Sequence, residues 1–364
     1  MDNLLLSLKM AETIMKRYPN PNDFPYRSWT YSQGFMLWGI EALYRYTGNK
    51  KYYDYIMSYA ETHVSPDGKL LRFDGNSLDD MMSGAVIVWA YVQTGADKFK
   101  KACETIRKAF DDYPRNSDGG FWHNRKLRGE MWVDGVFMGL MFLTKYGHYL
   151  GDSGYCFDEA AKQLTVIYDR CNKDGLILHA YSEDKKAKWA DSDTGLSPEV
   201  WSEGLGWYAL ILPQALELMG EHPEKNRLTK QYRELIYSLK KHQCAKTGLW
   251  FQVVDRGGRA DNWCDSSGSA MFIYALQKAI ELNIAGKDEF SPVVEKAWNG
   301  LVSKAKINDE GLLDLYDACD GVCVQTDYSV YINYKKTVNA KEAVGAFLWA
   351  SALVEKDRLK DYAQ

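Results

Sequence analysis

Long apolar runs are missing from this chain of 364 residues. No stretch approaches the run of about 18 apolar residues that a membrane-spanning helix needs, so we expect no membrane partner. The first residues, Met1 to Leu6, contain no positive charge, and Lys9, Glu12 and Lys16 follow too soon for a signal peptide. We therefore expect a cytoplasmic protein.

Cysteine and histidine are scarce, and neither occurs in a metal-binding pattern. The seven cysteines contain no Cys-x-x-Cys pair, and the six histidines contain no His-Glu-x-x-His spacing. These patterns argue against a disulfide framework and against a zinc site. The glycines of Gly204-Leu205-Gly206 belong to no phosphate-binding motif, and no Walker lysine is present. We expect no cofactor and no metal.

The chain also lacks a large excess of charge of either sign. The 45 Lys and Arg residues against 49 Asp and Glu residues give a net charge of -4, without a basic block, so we expect no nucleic-acid partner. Aromatic residues, in contrast, are abundant, with 25 Tyr and 12 Trp. Most of them must fill the core, but many lie beside Gly, Asp or His. That pattern favours a protein that stacks flat ligand faces such as sugars.

Apolar residues recur at helical spacing through most of the chain, for example at Leu37, Ile40 and Leu43. A charged amphipathic helix, a turn ending in Gly and a more apolar helix follow one another repeatedly. With a first pair at about Leu4 to Lys16 and Gln33 to Tyr46, this pattern makes six helical hairpins. The turns are Asp67-Gly68, Asp118-Gly119, Asp174-Gly175, Thr247-Gly248 and Glu310-Gly311.

A hairpin with one polar and one apolar helix cannot bury its apolar helix alone, so the six hairpins must pack side by side. We predict an all-α fold, an (α/α)6 barrel of six helical hairpins, in one domain over residues 1–364. An open solenoid is the alternative, which is disfavoured because neither end has a recognisable polar capping repeat. In the barrel, the linkers before the inner helices meet at one rim, where we expect the chemistry.

Carboxylates, Trp and His occur in these linkers and at the starts of the inner helices. Such residues around one cavity are typical of a site that cleaves carbohydrates. Tyr331 and Tyr334 are candidates in the sixth hairpin. The main candidates are Asp134 and Asp79 as catalytic residues, and Tyr31, Trp122, His123, Asn124, Trp132, His179, Trp201, Glu203, Trp207 and Ser267 as substrate-binding residues.

Asp134 is the residue on which the chemical hypothesis depends. Its neighbours Trp132, Val133, Val136 and Phe137 are apolar, so we expect burial to raise the pKa of its carboxyl group, as a general acid requires. The alternative is an N-cap, in which Asp134 accepts amide protons of the following helix. The two roles can coexist.

The other polar candidates also have a structural role as the alternative to a functional one. Either Asp79 or Asp80 is expected to cap the next helix, whereas an Asp79 that faces Asp134 would form a pair of acid and base. A lone His179 is commonly satisfied by a local backbone partner, but it could also donate to a substrate hydroxyl or carboxylate.

Several motifs together resemble the unsaturated glucuronyl and rhamnogalacturonyl hydrolases of glycoside hydrolase families 88 and 105, and family 105 most closely. The matches spread from Trp29 to about Phe347. They include Gly119-Gly120-Phe121-Trp122-His123, Met131-Trp132-Val133-Asp134-Gly135, the segment from Thr194 to Trp201, Gly206-Trp207-Tyr208, Gly248-Leu249-Trp250-Phe251-Gln252, and the segment from Asp261 to Ser269.

The resemblance implies the six-hairpin barrel and a reaction on the 4,5-unsaturated uronic acid that polysaccharide lyases leave at a non-reducing end. An oligosaccharide with that end would be the partner, and a proton added to the vinyl ether would start its hydration. Asp134 matches the family's proton donor and Asp79 its second essential carboxylate. Pocket positions are matched by Tyr31, His179, Trp201 and Trp207, with the Trp rings offering stacking faces.

The chain departs from the family at Glu203, where the family commonly has an Arg near the uronate, and at Asn124, where some members have Lys. The sequence does not distinguish galacturonate from glucuronate, identify the next sugar, or separate a monomer from a dimer. Two other hypotheses remain. One is an inverting glycosidase or sugar isomerase on a saturated sugar, and the other is a catalytically silent sugar-binding barrel, which Glu203 supports.

Overall fold

The computed structural model describes residues 4–362, and helices dominate it. Between these helices the chain forms short 3-10 turns and loops. The helices are α1 (Leu6–Arg17), α2 (Tyr31–Thr47), α3 (Lys50–His63), α4 (Met82–Thr94), α5 (Asp97–Lys108), α6 (Val133–Tyr149), α7 (Ser153–Cys171), α8 (Ser202–Leu218), α9 (Lys225–His242), α10 (Ser266–Glu281), α11 (Lys287–Val302), α12 (Tyr328–Asn333), α13 (Lys341–Val354) and α14 (Lys356–Tyr362).

Six helices form a closed inner ring. In order around the ring they are α2, α4, α6, α8, α10 and α13, each packed against the next, and α13 packs against α2. The helices α1, α3, α5, α7, α9 and α11 lie outside and pack against the inner helices. The predicted (α/α)6 barrel is therefore confirmed, and the ring closes instead of continuing as an open solenoid.

Residue patterns explain which helices lie inside. In α8, every residue from Ser202 to Leu216 is buried, because this helix has neighbours on all sides. In α5, the buried residues are Phe99, Ala102, Cys103 and Ile106, which form one stripe at helical spacing, while charged residues cover the rest. A helix that is apolar all round belongs in the interior, and one with a single apolar stripe belongs on the outside.

The two ends of the inner ring are connected differently. From inner to outer helix the chain turns quickly, as at Gly48-Asn49 between α2 and α3, where Gly48 adopts a φ of 64° that favours glycine. From outer to inner helix the linkers are long, for example residues 172–201 between α7 and α8. We call the end where the inner helices begin the N-terminal mouth, and the opposite end the C-terminal mouth.

Short antiparallel strand pairs hold the long linkers, and the sequence did not predict them. Such pairs satisfy linker backbone groups that lie outside any helix. The pair β1 (Glu130–Trp132) with β4 (Ala180–Ser182) joins the third linker to the fourth. The other pairs are β2 (Asn172–Lys173) with β3 (Leu176–Ile177), β5 (Trp250–Phe251) with β6 (Cys264–Asp265), β7 (Ala305–Ile307) with β8 (Leu313–Leu315), and β9 (Ala318–Cys319) with β10 (Lys336–Thr337).

Within residues 4–362, no helix is both long and apolar enough to cross a membrane. In the same part of the chain, no group of three or more His, Cys, Asp or Glu residues is arranged to hold a metal ion.

Candidate active site

Polar side chains from all six inner helices meet at the N-terminal mouth. Four helices contribute their second residue, α2 contributes its first, and the 3-10 turn Leu78–Met81 before α4 contributes one more. Equivalent positions on helices of one ring lie at the same level, so the side chains face one another. They are Asp134, Glu203, Ser267 and Glu342 as second residues, then Tyr31 and Asp79. We call Asp79, Asp134, Glu203 and Glu342 the carboxylate cluster.

A chain of hydrogen bonds fixes the Asp134 carboxyl group. His179 Nε2 lies 3.0 Å from Asp134 Oδ2, and His179 Nδ1 lies 2.7 Å from the Tyr331 hydroxyl. The backbone N–H of Gln325 donates to that hydroxyl at 3.1 Å. Tyr331 is thus free to donate its own proton to Nδ1, which leaves His179 with a proton on Nε2 for Asp134.

Asp134 is at once fixed and accessible. Its side chain is 15% exposed, whereas His179 is fully buried. The His179 ring packs against Trp201, with centroids 4.5 Å apart, so its orientation is set from behind. Because one carboxyl oxygen accepts from His179, the other oxygen, Oδ1, is available to hold and transfer a proton.

Asp79 lies beside a second histidine. His123 Nε2 is 3.7 Å from Asp79 Oδ1, and the His123 ring stacks on Trp132 at a centroid distance of 4.3 Å. Burial raises the pKa of Asp79 above its ordinary value; the nearby His123 opposes this shift and the negative charge of Asp134 adds to it. Asp79 therefore keeps a proton more readily than an ordinary aspartate.

Glu203 is buried and accepts a hydrogen bond from the Ser267 hydroxyl at 2.7 Å. Burial raises the pKa of Glu203 well above its ordinary value, and the carboxylates of Glu342 and Asp265 raise it further. A neutral carboxyl group at this position is the consequence.

Glu342 lies on the same side of the cluster and has two close polar partners. Tyr31 donates its hydroxyl proton to Glu342 Oε1 at 2.5 Å, and Lys341 Nζ lies 2.7 Å from the same oxygen. Burial alone would lower the pKa of Lys341, but the charge of Glu342 raises it, so the two form an ion pair at the start of α13.

Two of the predicted aromatic residues support the site from behind. Trp201 and Trp207 are each only 1% exposed. Trp207 packs edge-on against Tyr31 and Phe35 and at a tilt against Phe137 of the core. The expectation that these two rings offer open stacking faces is therefore not met. Trp132 is half-buried and lies nearer the surface, so it is better placed to contact a sugar.

Trp122 and Asn124 are less well placed than the sequence suggested. The Asn124 side-chain oxygen accepts from the Lys126 amide at 2.9 Å, which closes a local turn. Trp122 makes no ring contact with the other candidate residues in the described part of the chain, and its indole N–H has no partner there. We retain both only as candidates at the rim.

The N-cap alternative at Asp134 and the cap expected from Asp79 or Asp80 are both absent. Helix α6 begins one residue before Asp134, with Trp132 at the N-cap position, and no side chain caps it. The Ser77 hydroxyl accepts from the Asp79 amide and caps the 3-10 turn Leu78–Met81, while no side chain caps α4. His179 also differs from the structural alternative, because its ring bonds to side chains instead of a local backbone group.

Sequence reasoning missed Glu342 and Lys341. Neither belongs to a recognisable motif, but Glu342 occupies the position in α13 that Asp134 occupies in α6 and Glu203 in α8. Aligning the starts of the inner helices would have found it.

Comparison with known proteins places the chain in a family. The model of Glycosyl Hydrolase Family 88 matches residues 6–357. The chain belongs to this family. A solved glycoside hydrolase of family 105 from C. acetobutylicum ATCC 824 is 30% identical to this chain. The alignment covers 97% of this chain and 99% of the other, with a TM-score of 0.90.

Two further relatives are more distant. The 24.9 kDa protein in the picA locus of Rhizobium radiobacter is 29% identical over 182 residues, which are 49% of this chain and 78% of that protein. The unsaturated glucuronyl hydrolase of Bacillus sp. GL1 shares the fold at 14% identity, covering 97% of this chain and 95% of the other, with a TM-score of 0.70. Family membership makes this chain a glycoside hydrolase.

Proposed function

We propose that this family 88 hydrolase removes a 4,5-unsaturated uronic acid from the non-reducing end of lyase-generated oligosaccharides. The observation that carries the proposal is the Asp134 carboxyl group, which is held through one oxygen by His179 and has a side chain that is 15% exposed. The name of the unsaturated glucuronyl hydrolase with the same fold supports this class of substrate.

Asp134 starts the reaction as a general acid. Its O–H bond breaks as the C4=C5 double bond of the sugar takes up the proton at C4, and the ring oxygen stabilises the cation left at C5. Water then adds to C5 and gives its proton to the Asp134 carboxylate, which restores the acid. The hemiketal opens to a ketone at C5, and the hemiacetal at C1 releases the next sugar as an alcohol.

Asp79 orients the reactants. Asp79 lies beside His123 at the N-terminal mouth, and we assign it a hydrogen bond to a sugar hydroxyl or to the attacking water. His123 and Trp132 stack beside it and fix its surroundings.

The uronate carboxylate does not need an arginine at position 203. The N-termini of six inner helices point at this mouth, and their partial positive charges favour an anion. Burial raises the pKa of Glu203 and so favours its neutral form, which does not repel the substrate. Lys341, 13% exposed and paired with Glu342, places a cation at the same level.

We assign the finer specificity to a rhamnogalacturonyl-type substrate, because the relative at 30% identity is a family 105 enzyme. We also place the enzyme in the cytoplasm, where short oligosaccharides arrive after lyase digestion. All seven cysteines are free thiols, as is usual in a reducing compartment.

The test is the ultraviolet absorbance of the conjugated double bond, which hydration removes. Purified protein is incubated with lyase digests of rhamnogalacturonan and of glycosaminoglycan, and with the same oligosaccharides after the double bond has been chemically saturated. We expect absorbance loss with the rhamnogalacturonan digest and no hydrolysis of the saturated control. Hydrolysis of the saturated oligosaccharide at a comparable rate would instead indicate an ordinary glycosidase.

A further inference from the structure

A second cavity lies at the C-terminal mouth, away from the carboxylate cluster. Its volume is about 420 Å³, and the last turns of all six inner helices line it. Cavities that hold small ligands in proteins begin at about 300 Å³. No step of the proposed hydrolysis uses this end of the barrel.

A buried lysine forms part of its wall without an acidic partner. Lys145, in the last turn of α6, is 4% exposed, and its Nζ donates to Gln214 Oε1 at 2.7 Å. Among residues 4–362, no carboxylate lies within ion-pair distance of Lys145. Burial lowers the pKa of Lys145 to about 7. A lysine kept at this energetic disadvantage in a cavity wall is a candidate binding residue.

A buried glutamate faces the same space. Glu41 of α2 is 8% exposed, and its nearest cation is Arg45, with Nε 3.5 Å from Oε2. Burial raises the pKa of Glu41, and both Arg45 and Lys145 oppose that shift. Glu41 and Lys145 thus influence one another across the cavity without touching, which leaves room for a ligand that contacts both.

Aromatic rings complete the wall. Lys145 Nζ lies 5.1 Å from the centre of the Trp38 ring, and Trp38 is only partly buried. Tyr274, also partly buried, accepts a hydrogen bond from Gln214 Nε2 at 2.7 Å. The indole N–H of Trp89, another wall residue, has no partner in the described part of the chain.

The charges select a neutral ligand. Glu41 pairs with Arg45 at 3.5 Å, and Glu217 pairs with Lys278 at 2.5 Å. These acidic and basic groups of the cavity wall therefore offset one another and leave no excess of either charge for an ionic ligand. A molecule with hydroxyl groups that both donate and accept, and with a flat apolar face for an aromatic ring, satisfies all of these groups.

We propose that the cavity at the C-terminal mouth binds a neutral sugar, which stacks on Trp38 and hydrogen-bonds to Glu41 and Lys145. The site is separate from hydrolysis at the other mouth and does not depend on the proposed reaction.

Calorimetric titration with sugars of different charge tests the proposal. The probes are D-galactose and L-rhamnose as neutral sugars, D-galacturonate as an anion and D-glucosamine as a cation. We expect saturable binding of at least one neutral sugar, and at least about tenfold weaker binding of both charged sugars, which corresponds to about 1.4 kcal/mol. Failure of both neutral sugars to saturate, or tighter binding of a charged sugar, contradicts the proposal.

Variants at each of the two mouths show which mouth binds the neutral sugar. Lys145→Met and Trp38→Leu should each weaken neutral-sugar binding at least about tenfold, while Asp134→Asn leaves it unchanged. Unaltered kcat on the unsaturated substrate shows that both cavity variants fold. If Asp134→Asn abolishes sugar binding and the two cavity variants do not, the sugar occupies the other mouth and the proposal is wrong.

Discussion

The two mouths of the inner ring are built from the same six helices, yet they carry different residues. At the N-terminal mouth the first turns contribute acidic and hydroxyl groups, among them Asp134, Glu203 and Glu342. At the C-terminal mouth the helix ends contribute the cations Arg45, Lys145 and Lys278 beside the acids Glu41 and Glu217, which pair with Arg45 and Lys278. The acids at the first mouth and the added cations at the second agree with the helix dipole, which favours negative charge near helix N-termini and positive charge near C-termini.

The connections differ as well. Two residues join α4 to α5 at the C-terminal mouth, whereas residues 109–132 join α5 to α6 at the N-terminal mouth. Long linkers can supply residues such as His179 and Tyr331 that no inner helix contains. The helix dipole therefore sets which charges are tolerated at each mouth, and the linkers decide at which mouth an array of acid, histidine and tyrosine is assembled.

The most severe test of this difference is Asp134→Asn. The change removes the proton that the reaction needs and keeps the shape of the side chain, so we expect kcat to fall at least about 10². The rate of absorbance loss on the unsaturated substrate measures it. Asp158→Asn on α7 is the control, because the Asp158 side chain is 76% exposed and pairs with His222. Near-normal turnover by Asp134→Asn would remove the acid from the mechanism.

Lys145→Met tests the C-terminal mouth through its effect on the free energy of unfolding. Between pH of about 7 and about 10 the unfolded chain binds a proton at Lys145 that the folded protein does not, so stability rises with pH. We expect this contribution to be about 1.4 kcal/mol per pH unit in the wild type and absent from Lys145→Met. Denaturant unfolding at a series of pH values measures it.

Lys162→Met provides the control for that experiment. Lys162 lies on α7 and is 47% exposed, so its replacement should leave the dependence on pH as in the wild type. Parallel curves for wild type and Lys145→Met would show that Lys145 has an ordinary pKa.

Tyr331→Phe tests the hydrogen-bond chain behind Asp134. Without the hydroxyl, His179 Nδ1 loses its donor and the Gln325 amide loses its acceptor, so the orientation of His179 is less well defined. We expect kcat to fall about tenfold, below the full effect of losing the acid, with KM little changed. Steady-state kinetics on the unsaturated substrate measures both constants.

Tyr328→Phe in the same short helix is the matched control, since the Tyr328 hydroxyl bonds to Asp261 and not to the histidine. Equal effects of the two changes would mean that Tyr331 acts only through the stability of the helix.

Glu203→Gln should have the smallest effect. Glu203 is already neutral, and glutamine keeps an oxygen that accepts from Ser267, so we expect kcat/KM to change less than about threefold. Above the ordinary glutamate pKa the folded protein holds a proton on Glu203 that the unfolded chain loses, so its stability falls as pH rises. A glutamine at this position does not ionise, so this decrease of stability with pH is absent from Glu203→Gln. Thermal unfolding and kinetics near neutral pH provide the readouts.

Glu159→Gln is the contrasting change. Glu159 is also buried, but hydrogen bonds from Arg115 and Gln163, together with the charges of Arg115 and Lys162, outweigh the effect of burial and lower the pKa of Glu159, which favours its ionised form. We expect Glu159→Gln to cost about 1–3 kcal/mol of stability. For Glu203 itself, a loss of activity in Glu203→Gln as large as that in Asp134→Asn would contradict the prediction and show that Glu203 acts as a charged group.

Much of the fold was predictable because it rests on helical periodicity. The first pair of helices was expected at about Leu4 to Lys16 and Gln33 to Tyr46, and these helices run over Leu6–Arg17 and Tyr31–Thr47. The N-cap alternative at Asp134 fails because α6 begins at Val133, which places Asp134 inside the first turn. Strands of two or three residues, such as β5, contain too few residues for a period and were missed.

The candidate site was predictable in part for the same reason. The motifs around Asp134 and His179 are local in sequence, and the structure brings these two residues to 3.0 Å. Glu342 has no motif, and its role depends on the alignment of α13 with helices far away in the chain. The burial of Trp207 depends on the rings of Phe35 and Phe137, which no local pattern shows.

By itself, the sequence determined the helices, their pairing into six hairpins and the acid of the proposed reaction, because spacing and neighbouring residue types are properties of a short stretch of chain. Only the tertiary structure decided which carboxyl groups share a mouth, which of them are neutral, and that a second cavity with a buried lysine lies at the opposite end. Those properties depend on burial and on distances between distant residues, which are set when the ring closes.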